Sequence, residues 1–211
     1  MSDQGRDLGW FDELYQGADG DTGQVPWADL APKAGLPEWL ADHPGEGRTA
    51  LDVGCGLGDN AEAIAAAGYA TTAFDLSPRA IAWAKQRFPT SPVAYRQADL
   101  LNPPAEWVGA FDLVHECFTI QALDGDLRRN AMTAIASFVA PGGRLLIITL
   151  TRGEGTDADG PPWPLMPSEI ATFERLGFTR EEEHPYDLVR HHGRSVPHLR
   201  VCFRRDQAQQ S

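Results

Sequence analysis

The chain has 211 residues, 42% hydrophobic and 23% charged, which suits one domain built on one sizeable core. No apolar run approaches the ~20 residues of a membrane span, and the polar, acidic start is unlike a signal peptide. A formal net charge of −12 disfavours the phosphate contacts that dominate nucleic-acid affinity. The expected setting is therefore the cytoplasm, with neither a membrane nor a nucleic acid as partner. The three cysteines, Cys55, Cys117 and Cys202, lack CxxC spacing, and the histidines form no HExxH, so neither a disulfide framework nor a metal site is expected. Arg190, Arg194, Arg200, Arg204 and Arg205 near the C-terminus read as a solvated face.

Residues 1 to 47 read as a helical and loop segment set before the main domain, which spans residues 48 to 211. Within it, Leu8, Phe11, Leu14 and Tyr15 fall at helical spacing, predicting a short helix over residues 7–15. A second short helix is predicted over residues 36–41, with Pro37 in its first turn. From Arg48 strands and helices alternate. Strands are predicted over 49–53, 69–74, 93–97, 111–115 and 144–150, and helices over 59–67, 78–88 and 124–139. Ser77 reads as an N-cap before Pro78, and Gly68 as a helix stop. The run 144–150 is apolar throughout, as a strand buried on both faces would be. Residues 153–167 carry four prolines and read as a long loop. Ser168 is predicted to cap a helix reaching Leu176, and two last strands fall over 178–183 and 198–204. The alternation predicts an α/β fold, a mostly parallel sheet with helices on both faces. The closing strands, with no clear helix between them, predict a terminal antiparallel pair.

The segment Leu51-Asp52-Val53-Gly54-Cys55-Gly56-Leu57-Gly58 lies after a strand and before a helix, where glycine lets a backbone approach a ligand closely. Its spacing is GxGxG, and Asp59 stands where a dinucleotide fingerprint would place its third glycine. Carboxylates at Asp52 and Asp59 would repel a pyrophosphate, and no Lys-Ser/Thr follows to make a P-loop. They suit a cationic ligand without phosphates, and S-adenosyl-L-methionine is one. Asp75 ends the second predicted strand, where a carboxylate can accept both ribose hydroxyls. Asp99 follows the third, where it can accept an adenine amino group while Leu100 packs on the ring; a turn cap is the other reading of Asp99. Asp52, Asp75 and Asp99 at three successive strand ends point to one cleft.

These motifs resemble those of class I S-adenosylmethionine-dependent methyltransferases over residues 48–151, including Phe111-Asp112-Leu113-Val114-His115-Glu116 and Ala140-Pro141-Gly142-Gly143-Arg144-Leu145. The resemblance implies a Rossmann-like seven-stranded sheet with an antiparallel last strand. It also implies cofactor contacts from Asp52, Gly54, Cys55, Gly56, Asp75, Leu76, Asp99, Leu100 and Glu116. A second resemblance is to the thiopurine and thiol S-methyltransferase group. It rests on Trp10-Phe11-Asp12-Glu13-Leu14-Tyr15, Pro26-Trp27, Glu116-Cys117-Phe118-Thr119-Ile120-Gln121-Ala122-Leu123 and Gly160-Pro161-Pro162-Trp163. It implies that the N-terminal segment is a lid, with Trp10 on the cofactor and Trp27 and Trp163 on the substrate; core packing is the other reading of Trp10 and Trp27. Thiopurine enzymes carry an arginine shortly after the fourth strand; Glu116-Cys117-Phe118 stands here, which points away from thiopurines themselves.

Methyl transfer from a sulfonium is an in-line displacement, so the protein supplies alignment and desolvation. A thiol acceptor is partly ionised near neutral pH and needs no strong base; an alcohol or phenol needs one more. His115 is the candidate catalytic base, with His184, His191 and His192 behind it, and Cys117 reads as a small buried hydrophobe rather than a nucleophile. The expected activity is methylation of a small molecule by S-adenosyl-L-methionine, with a thiol favoured over an oxygen or nitrogen acceptor, by a monomer or homodimer. A nicotinamide oxidoreductase and a catalytically silent cofactor-binding module are the alternatives from other classes.

Overall fold

The computed structural model describes residues 9–18, 21–25, 28–189, 193 and 195–207, except for the side chains of Trp10 and Phe11. Among these residues the α-helices and strands run α1 (Trp10–Ala18), α2 (Leu36–Asp42), β1 (Thr49–Val53), α3 (Asp59–Ala66), β2 (Ala70–Asp75), α4 (Pro78–Arg87), β3 (Ala94–Gln97), β4 (Phe111–Cys117), α5 (Gly125–Phe138), β5 (Val139–Leu150), α6 (Pro167–Ile170), α7 (Thr172–Arg175), β6 (Phe178–Val189) and β7 (Ser195–Arg205). The strands form one seven-stranded sheet in the order β3-β2-β1-β4-β5-β7-β6. The first five pair in parallel; β7 lies antiparallel between β5 and β6. The expected architecture, an α/β sheet closed by an antiparallel pair, is therefore the one the chain adopts.

Period-2 alternation divides the core between two sheet faces. Leu51, Val53, Val114, Leu145 and Ile147 meet Met132, Ile135 and Phe138 of α5 and Phe173 of α7 on one face. Ala50, Leu113, Leu146, Ile148 and Cys202 meet Leu36, Trp39 and Leu40 of α2 and Ile64 of α3 on the other. A third cluster seats α3 and α4 on β2 and β3 through Ala61, Ile81, Ala84, Ala73 and Tyr95. Strand β5 is covered on both sides along residues 145–150, as its unbroken apolar run requires.

Ser77 caps α4, its Oγ accepting from the Ala80 N–H at 3.1 Å, with Pro78 in the first turn. The same hydroxyl donates to Asp12 at 2.6 Å, and Arg79 pairs with Asp12, so α1 is docked on α4. Several boundaries differ from the sequence reading. Strand β5 begins at Val139, five residues early, because Val139 pairs with Phe111 before a register shift. The helix expected from Ser168 is instead two short turns. Met166 takes the cap position, and Glu169 accepts its N–H at 2.8 Å, while Ser168 hydrogen-bonds Glu154. Strands β6 and β7 are also longer than expected, since each completes the other's ladder to residues 189 and 195.

Candidate functional site

A cavity of about 940 Å³ opens at the carboxyl ends of β1, β2 and β4, beside the segment of residues 14–33. That is where open parallel α/β sheets bind ligands. The loop after β1 forms its floor. Gly54 has φ +62°, and a Cβ there would meet Thr119 Oγ1 at 2.4 Å; Gly58 has φ +92°, and a Cβ there would meet Tyr95 Oη at 2.4 Å. Both positions therefore exclude a side chain, by conformation and by space.

Asp75 ends β2 at the cavity wall. Its Oδ2 accepts from the Gly56 N–H and its Oδ1 from the Ser77 N–H, both at 2.9 Å, so one carboxylate braces the glycine loop and the start of α4. Burial raises its pKa above the ordinary aspartate range, against the pull of these hydrogen bonds. Each oxygen keeps a further lone pair for a ligand hydroxyl. Asp99 is exposed and lines the same cavity; its Oδ1 accepts from the Leu101 N–H at 2.8 Å, so it caps its turn with one oxygen and leaves Oδ2 available. Gly54, Cys55, Gly56, Leu76 and Leu100 also line the cavity. Among the described residues, the ionisable side chains along the wall are five aspartates, Asp29, Asp59, Asp75, Asp99 and Asp159, with Lys33, Cys55, Cys117 and Tyr15. Arg87 pairs with Asp59 through two hydrogen bonds of 2.7 and 2.8 Å, and Lys33 pairs with Asp29. Burial holds the Cys55 and Cys117 thiols well above their ordinary pKa, so neither is a thiolate nucleophile.

Three residues expected in the cleft lie beneath it. Asp52 is 1% exposed and His115 fully buried, and neither lines the cavity. Asp52 and His115 are register partners on the α2–α3 face of the sheet, joined Oδ1 to Nδ1 at 2.7 Å. His115 as placed cannot reach an acceptor. Position along the strand is the reason: Val53 and Cys117, the last residues of β1 and β4, reach the cavity wall, while Asp52 and His115 lie one and two residues back inside the sheet. Glu116 is also fully buried. Its Oε1 accepts from the N–H groups of Thr119, at 2.7 Å, and Ile120, at 2.9 Å, fixing the turn Ile120–Ala122 after β4. Trp163 is likewise absent from the wall. Its indole lies against Gly160 of its own loop, while Pro161, Pro162 and Pro164 face the cavity. Trp27, His191 and His192 lie outside the described residues, as does the side chain of Trp10. His184 stacks near Tyr186 on β6, with ring centroids 6.0 Å apart, away from the cavity wall.

Burial moves the Glu116 pKa up to about 7, opposed by its two amide hydrogen bonds. In the unfolded chain this carboxyl ionises at the usual glutamate value, so between about pH 4.5 and 7 the folded state holds a proton that the unfolded state has lost. Stability from this group is therefore present at low pH and lost as pH rises, by on the order of 3 kcal/mol. Glu116→Gln keeps an oxygen for both amides and removes the titration. Urea melts at pH 5 to 8 are expected to show the variant gaining on the parent as pH rises; parallel profiles would refute this.

The sequence reading gave no site role of their own to Tyr15, Phe118 and Gln121, which it quoted only within motifs, and did not single out Lys33 or Asn60; all five line the cavity. Gln121 carried a signal, as a polar residue amid Ile120, Ala122 and Leu123; the others reach the site only through tertiary contacts.

Residues 50–143 match the family of methyltransferase domains. An N-methyltransferase of Clonostachys rogersoniana is 33% identical over 86 residues, 40% of this chain and 30% of that protein. A ubiquinone biosynthesis O-methyltransferase of Azotobacter vinelandii is 35% identical over 117 residues, 54% of this chain and 50% of that protein. The chain thus spans half or less of the length of these relatives. Among solved structures, magnesium protoporphyrin IX methyltransferase of Synechocystis with bound SAH superposes with a TM-score of 0.73 at 15% identity, covering 95% of this chain and 100% of that one. A structure from work on the conversion of a disulfide bond into a thioacetal group during echinomycin biosynthesis superposes with a TM-score of 0.74 at 24% identity, covering 93% and 92%. Residues 50–143 are therefore similar to methyltransferase domains, and the chain adopts the seven-stranded Rossmann-like fold of the solved methyltransferase it superposes on.

Proposed function

We propose that this protein uses S-adenosyl-L-methionine to methylate a small molecule, and that the acceptor atom is the sulfur of a thiol. The observation that carries the reading is the single cavity that joins bare glycine backbone and aspartates at one end to an apolar wall at the other. Its volume lies at the upper end of the ~300–1,000 Å³ usual for small-molecule sites. The carboxylates fit a cationic nucleoside and repel a pyrophosphate. When bound, the cofactor supplies a methyl group on a positively charged sulfur. Asp75 would hold the ribose hydroxyls, Asp99 and Leu100 the base, and Gly54, Cys55 and Gly56 the amino acid portion. Asp52 and Glu116, which lie outside the cavity wall, would act indirectly, bracing the strand ends beneath the loop. The segment of residues 1–47 would serve as a lid, with Leu14 and Tyr15 excluding water.

Two features of the described wall support the sulfur assignment. No histidine is among its described residues, and the Lys33 ammonium lies 4.9 Å from the centre of the Phe118 ring in the same cavity. A thiol is an acceptor that ionises without a strong base, and the Lys33–Asp29 pair beside the Phe118 ring leaves its approach to a cation in place. The test is methyl transfer from labelled S-adenosyl-L-methionine to a panel of thiols, phenols and amines, with calorimetry on the donor and its demethylated product. Labelled thioether from one or more thiols is the expected result. Transfer to phenols or amines alone would overturn the sulfur assignment, and no heat with either nucleoside would overturn the whole reading.

A further inference from the structure

We propose that Gln121 is a specificity-determining residue whose side-chain amide donates a hydrogen bond to a carbonyl or carboxylate oxygen of the methyl acceptor. The inference rests on the methyltransferase reading and adds to it the chemical class of the acceptor.

Gln121 is 4% exposed and lies in the turn that follows β4. Its Oε1 accepts from the Leu150 N–H at 2.7 Å and from the Thr149 hydroxyl at 3.0 Å. The Leu150 amide has only a proton to offer, so the carboxamide cannot be turned end for end without opposing two donors. Nε2 must therefore point the other way. Among the described residues Nε2 meets no acceptor, and it is not one of the sealed, unpartnered polar atoms. Gln121 lines the cavity, so its two N–H groups face it.

The position fits an acceptor rather than the nucleoside. Asp75 and Asp99 lie at the β2 and β3 end of the sheet, while Gln121 bridges to β5, two strands beyond β1. Leu123, Leu150, Pro161 and Pro162 line the same cavity. The Trp163 N–H donates to the Gln121 carbonyl at 2.7 Å, which pins the proline loop to the same residue. An oriented donor in an apolar wall rejects a ligand that leaves it unpaired. The fitting ligand is an apolar thiol with an oxygen acceptor close to its sulfur.

The probes are methyl 2-mercaptobenzoate and thiophenol, titrated into the full chain loaded with S-adenosylhomocysteine. The parent protein is expected to bind the ester at least about tenfold more tightly. Gln121→Glu keeps an oxygen for Leu150 and Thr149 but replaces the N–H donors, and should reduce that preference to about twofold or less while the nucleoside still binds. Thr149→Val leaves the Leu150 bond and should keep the preference. A merely structural role would lower the melting temperature in both variants and leave the preference intact, which overturns the proposal. So would equal affinities, or no saturable binding of the ester, in the loaded parent. Failure to load the nucleoside refutes the methyltransferase reading and this inference with it; failure of the preference in loaded protein refutes the Gln121 inference alone.

Discussion

Asp75→Ala is expected to weaken binding of S-adenosyl-L-methionine and its demethylated product by roughly ten- to a hundredfold, with the variant still folded. A hydrogen bond to a charged group contributes about 1.5–3 kcal/mol, and each 1.4 kcal/mol is tenfold in affinity. The geometry adds a second loss. The two Asp75 oxygens also accept the Gly56 and Ser77 N–H groups at 2.9 Å, so its removal loosens the glycine loop as well as the ribose contact. Burial raises the Asp75 pKa. On acidification the carboxyl is therefore protonated at a higher pH than an exposed aspartate, and nucleoside affinity should fall with it. Isothermal titration between pH 4 and 8 measures both effects. Unchanged affinity in a variant with a normal melt would remove Asp75 from the site.

Arg128→Met should produce the largest loss of stability, about 3 kcal/mol or more. Arg128 is 5% exposed on α5. Its Nε donates to the Leu123 carbonyl and its Nη2 to the Trp163 carbonyl, both at 2.8 Å, and it pairs with Glu169. One guanidinium thus joins the turn after β4, the proline loop and the start of α6. Methionine fills much of the volume but leaves two carbonyls without their donor and takes from Glu169 its nearer cation, which costs more than the pair itself contributed. Arg152, 3.7 Å from the other Glu169 oxygen, moderates the penalty. Arg129→Ala is the control: Arg129 is exposed beside an exposed Asp126, and its loss should change stability by less than about 0.5 kcal/mol. Urea denaturation distinguishes the two. A loss below about 1 kcal/mol for Arg128→Met would show that the loop is held by other contacts.

Local chemistry was enough to read much of this molecule. The alternation of elements, the Ser77-Pro78 start of α4, the doubly buried apolar run of β5 and the glycine loop between β1 and α3 each follow from neighbours a few residues apart. The sequence also placed Asp75 and Asp99 at strand ends, and both line the cavity.

Which way a side chain faces at a strand end depends on the register with the next strand, and that is a property of the assembled sheet. Asp52 and Asp75 look alike along the chain, yet Asp52 is paired with His115 beneath the loop while Asp75 lines the cavity. Trp163 looked like a substrate contact until the packing of its own loop laid it on Gly160. Gln121 acquired its direction from the Leu150 N–H, 29 residues away. Neighbouring residues sufficed for the fold and for the sheet edge that carries the cavity; long-range pairing decided which of the polar groups at that edge face the cavity, because burial and hydrogen-bond satisfaction are settled only when distant strands meet.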